Sequence, residues 1–88
     1  MKFRFISDPG HGWCEVELDF VRELGIWDKI SSYSYVKGDF AYLEEDCDYA
    51  AFHNAMKLRG ESIELVEIHQ DNTPIRNYRR FPSTQRQY

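Results

Sequence analysis

The residues with the greatest chemical potential are two cysteines, three histidines and a crowded set of acids. A nucleophilic thiol requires a nearby base or cation to lower its pKa, and Cys14 stands three residues after His11. Yet Cys14 alternates with Val16 and Leu18, a spacing that turns the thiol into the core. Cys47 lies between Asp46 and Asp48, whose carboxylates raise a thiol pKa. The metal-binding side chains are scattered: Cys47 and His53 are six apart, and His11, Cys14 and His69 show no CxxC or HxxxH spacing. The acidic run at 44–48 lacks the alternating ligands, central glycine and twelfth-position glutamate of a calcium loop; its acids suit the positive end of a helix instead. Pro9-Gly10-His11-Gly12 is glycine-rich but falls between two expected strands, with neither a following helix nor a P-loop lysine. The residues therefore predict a protein without catalytic activity, metal or cofactor, and function is sought on its surfaces.

Charge distinguishes those surfaces. Residues 1–71 hold all 15 acids against seven basic residues, whereas 72–88 hold four arginines and no acid. An acidic body is predicted to attract a partner with a basic surface, and acids spaced over one face can imitate duplex phosphates. The expected contact residues are Trp13, Glu15, Glu17, Glu44, Glu45, Asp46 and Asp48; Trp13 is included because its strand neighbours are glutamates. Tyr33, Tyr35, Tyr42 and Tyr49 complete an aromatic set that either fills the core or anchors an interface. Residues 72–88 read as a basic, aromatic tail. Arg76, Tyr78, Arg79 and Arg80 have the guanidinium and ring chemistry that single-stranded nucleic acid uses. The same tail could equally dock on its own acidic body or on that of a second copy.

The elements that must position these residues follow from periodicity. Residues 2–6 and 13–18 alternate and are joined by the turn-rich 8–12, which predicts a hairpin. Asp19 is the expected N-cap of a short helix over 20–24, with Gly25 just past its end. A second hairpin, 32–36 with 40–44, turns at Lys37-Gly38-Asp39. A second helix is expected from Glu45 or Asp46 to Arg59, with Tyr49, Phe52, Ala55, Met56 and Leu58 as its apolar stripe and Gly60 as its stop. Residues 62–69 read as a last strand whose apolar phase slips between Leu65 and Val66, which predicts a bulge or burial on both faces. The expected fold is α+β: one small domain over 1–71 in the order β-β-α-β-β-α-β. Its sheet of about five mainly antiparallel strands carries two helices on one face and the tail at 72–88.

Length and composition agree with one folded domain. Eighty-eight residues leave room for a single core, and 42% apolar with 16% aromatic residues is too rich for a disordered chain. No apolar run approaches membrane-spanning length, and two cysteines make no disulfide framework, so a cytoplasmic setting is expected.

The words SDPGHGW at 7–13, YLEEDCD at 42–48 and DNTPIR at 71–76 give the chain a resemblance to small uncharacterised proteins of bacteriophages and other mobile elements. That resemblance implies a context in which compact acidic proteins inhibit or redirect host machinery, anti-CRISPR proteins among them. The resulting expectation is a protein-binding inhibitor or modulator acting through its acidic surface. The alternative is a small nucleic-acid-associated regulator that touches the backbone through its arginines.

Overall fold

The computed structural model describes residues 1–83. Strands β1 (Lys2–Ser7) and β2 (Gly12–Glu17) form the expected antiparallel hairpin, with Phe5 opposite Cys14 and Ser7 opposite Gly12. The Asp8 carboxylate closes the turn between them by accepting the backbone N–H groups of Gly10 and His11, each at 2.9 Å. Close packing explains the glycine at 12: a side chain there would meet the Phe5 ring at 2.6 Å.

Helix α1 (Leu18–Glu23) follows β2 directly and starts earlier than its expected cap. Leu18 N–H donates to the Asp39 carbonyl at 2.8 Å, so a tertiary bond anchors the first turn. Asp19 consequently lies inside the helix, 3.2 Å from Arg22, rather than capping it. The helix stops at Gly25, whose φ of 71° permits Gly25 N–H to reach the Arg22 carbonyl and Ile26 N–H to reach that of Val21. A single 3-10 turn, Trp27–Lys29, leads on to β3 (Tyr35–Lys37), which turns through Gly38 into β4 (Phe40–Glu44).

Helix α2 (Tyr49–Leu58) buries Phe52 and Met56 as its apolar spacing predicts, but Leu58, expected in the same stripe, is 90% exposed at the helix end. It begins later than expected because 45–47 form a turn, in which the Glu44 carboxylate accepts the N–H groups of Asp46 and Cys47 at 3.0 and 2.8 Å. Strand β5 (Glu64–His69) then returns alongside β1 and pairs with it in parallel, from Lys2 opposite Glu64 to Ser7 opposite His69. That register is continuous, so no bulge explains the phase slip. Instead Leu65 packs on the helix-side core and Ile68 on the opposite face, while Val66 is exposed at the sheet edge.

The sheet is open, mostly antiparallel and six-stranded, in the order β5-β1-β2-β4-β3-β6, and the fold is α+β. The sixth strand, β6 (Arg79–Arg80), pairs with β3 and corrects the expectation of about five. Two charged residues carry no strand pattern. Their position is set by the next residue, Phe81, which is buried in the main core with its ring 4.6 Å from that of Trp27. Phe81 N–H also donates to the Ser34 carbonyl at 2.8 Å.

Alternation along the strands divides the side chains between two cores. Cys14, Val16, Ala41 and Leu43 face the helices and pack with Val21, Phe52 and Met56. Ile6, Trp13 and Tyr42 face the other way and pack with Ile75. Because β5 and β6 occupy opposite edges of the sheet, residues 70–78 must cross that second face. They do so as a strap containing one 3-10 turn, Ile75–Asn77, with Ile75 buried beneath it. The described part of the expected tail is thus integral to the fold. Arg86 and the rest of 84–88 lie outside the described residues.

Candidate binding cleft

The strap covers only part of the second face. Beside it, where β2 begins and β4 ends, lies a cleft of about 350 Å³ lined by His11, Trp13, Tyr33, Tyr35, Glu44, Asp46, Cys47, Arg76 and Arg80. Trp13 is expected at the surface because its same-face neighbours on β2 are glutamates. In the fold it is only 2% exposed, since Ile75 packs against it and the Arg76 guanidinium lies 5.9 Å from its ring. His11 and Tyr35 complete its surroundings, with ring centroids 5.9 and 6.4 Å away. The indole Nε1–H has no hydrogen-bond acceptor among the described residues. An unsatisfied buried donor costs ~1–3 kcal/mol.

Two arginines line the cleft, each held by a separate acceptor. Arg76 Nη2 donates to Asp8 Oδ1 at 2.8 Å, tying the strap to the β1–β2 turn. The Asp8 side chain is only 6% exposed. Burial pushes its pKa up, but the N–H groups of His11 and Gly10 and the Arg76 charge outweigh that and hold the carboxyl below its ordinary value of 3.8. Arg80 Nη1 donates to the Ser32 carbonyl at 2.9 Å, and its guanidinium lies 5.6 Å from the Tyr35 ring. A guanidinium has five N–H donors, so each arginine retains donors beyond its anchor. Tyr33, 58% exposed, presents an aromatic surface at the rim.

The expected acidic contacts separate into two groups. Asp48 is 1% exposed; its carboxylate accepts from Ser31 N–H at 3.0 Å, Ser31 Oγ–H at 2.8 Å and Ser34 Oγ–H at 2.5 Å. Glu44 is also buried and holds its own turn. Glu15 accepts from the Tyr42 hydroxyl at 3.0 Å and lies 3.7 Å from Arg4. Trp13, Asp48 and most of Glu44 are therefore unavailable as an outer contact surface, a correction that follows from their burial. Glu17, Glu45 and Asp46 are exposed and form no ion pair with a described residue.

The arginine set divides similarly. Arg76 and Arg80 meet in the cleft, and Arg79 is exposed on β6. Tyr78 packs on Tyr42 at 5.2 Å, with the Lys37 ammonium 5.3 Å from its ring. The thiols are not activated: burial, followed by the Glu15 charge, pushes Cys14 up to about 12. Cys47 is raised by desolvation and by its hydrogen bond to Glu44.

Asp8 and Ile75 are the organising residues that periodicity does not reveal. Ile75 left one legible trace, as an aliphatic residue isolated in the polar stretch 70–80. Chemically the cleft offers cationic donors, aromatic walls and a carboxylate side. No known protein family matches the chain, and no characterised protein or solved structure matches it either.

Proposed function

We propose that this is a non-catalytic binding protein that inhibits or modulates a host protein bearing a basic surface, as small proteins of mobile elements do. It would act in the cytoplasm. The supporting observation is that Glu17, Asp28, Asp39, Glu45, Asp46 and Glu67 are exposed and make no ion pair with a described residue. Their field is not neutralised within the fold, and such a field speeds encounter with an oppositely charged partner and selects for it. No helix among the described residues is long and apolar enough to cross a membrane.

The test is affinity capture from host lysate at low and high salt, comparing the native chain with Glu17→Lys, Glu45→Lys and Asp46→Lys combined. These three positions are chosen because none is buried and none anchors a turn. The expected result is a stoichiometric protein partner that high salt and the triple variant both release. A partner retained equally under all conditions would overturn the acidic-surface mechanism.

A further inference from the structure

We propose that the cleft beside the strap binds a nucleotide, with its phosphate on Arg76 and Arg80 and its base against the tyrosine rings. This goes beyond the protein-binding reading and does not depend on it.

Three features converge there. Arg76 and Arg80 are pre-positioned by Asp8 and Ser32, so binding does not have to order them from a mobile state. Tyr33 and Tyr35 provide ring faces, on which bases stack whatever their identity. The volume of about 350 Å³ lies at the lower end for small-molecule sites and suits one nucleotide rather than a folded element.

The carboxylates decide among anions. Glu44 and Asp46 line the same cleft as the arginines. A simple polyanion would be repelled by them, and a phosphorylated aromatic side chain has no donor edge to offer. A base with an exocyclic amine satisfies both walls, because it donates to carboxylate while its phosphate accepts from guanidinium. Guanine, adenine and cytosine carry such an amine; uracil does not. The phosphate and amino-bearing base could belong to a free mononucleotide or to the end of a single strand.

Calorimetric titration with GMP, UMP, inorganic phosphate and a short 5′-phosphorylated, guanine-ended oligonucleotide tests this. GMP is expected to bind with Kd below about 1 mM and at least about tenfold more tightly than UMP or phosphate. Arg80→Gln removes the charge and the Nη1 donor to the Ser32 carbonyl, and should weaken GMP by about tenfold or more, with near-ultraviolet circular dichroism confirming the fold. An oligonucleotide that binds more tightly than GMP would identify a strand end; equal or weaker binding would identify the free nucleotide. Absence of saturable GMP binding, equal affinity for UMP or phosphate, or indifference to Arg80→Gln would overturn the proposal.

Discussion

Replacing Asp48 by alanine separates a structural carboxylate from a surface one. Its carboxylate accepts one backbone N–H and two serine hydroxyls, at 3.0, 2.8 and 2.5 Å, in a site where the residue is 1% exposed. Hydrogen bonds to a charged group contribute ~1.5–3 kcal/mol each, and three would give ~4.5–9 kcal/mol if they added. Holding a carboxylate out of water costs several kcal/mol, which leaves a net loss of ~2–4 kcal/mol on removal. A chain of this size has a total stability of about 9 kcal/mol at ~0.1 kcal/mol per residue. The thermal midpoint should therefore fall by ~8–32 °C, at ~4–8 °C per kcal/mol for a domain this small. Thermal unfolding followed by circular dichroism reads the midpoint, and urea titration gives the free energy directly. Ser34→Ala provides a control within the same network, because Ser34 Oγ also accepts Glu44 N–H at 2.9 Å. The Asp48→Ala and Ser34→Ala losses should be smaller together than summed, as for neighbours that share a partner. An exposed acid changes stability by no more than ~0.5 kcal/mol. A loss of that size at Asp48 would refute the buried network.

Two further outcomes test the strap. Ile75→Ala should cost ~2–4 kcal/mol by urea titration, because Ile75 fills the space among Ile6, Trp13 and Tyr42; a negligible cost would mean that 72–78 do not pack on the sheet. Asp8 has a folded-state pKa below its ordinary 3.8, so its stabilising contribution should be complete above that pH and fade as the pH falls through the lower folded value. The difference in midpoint between the native chain and Asp8→Asn should be constant above about pH 5 and shrink below 3.8; a difference growing towards acid would contradict the sign.

The sequence by itself determined the two hairpins, both helices, the last long strand and the α+β class. Each rests on signals between near neighbours: alternation at 2–6 and 13–18 (of which Leu18 in fact opens α1), helical spacing of Phe52 and Met56, and glycines at 25, 38 and 60 where φ is positive. The inward direction of Cys14 and Val16 was legible for the same reason. Tertiary structure alone decided what covers the sheet's second face. Alternation shows that Trp13 opposes Cys14, but not whether its side meets water or protein. That depended on β5 and β6 occupying opposite edges, which compels 70–78 to cross the face and bury Trp13 beneath Ile75. The acids divided for a related reason. Asp48 and Glu44 became structural because donors remote in sequence, or in the Glu44 turn, converged on them; Glu45 and Asp46, within the same acidic run, remained exposed. Composition fixes how many charges a chain carries, whereas burial and donor geometry decide which of them a partner can meet.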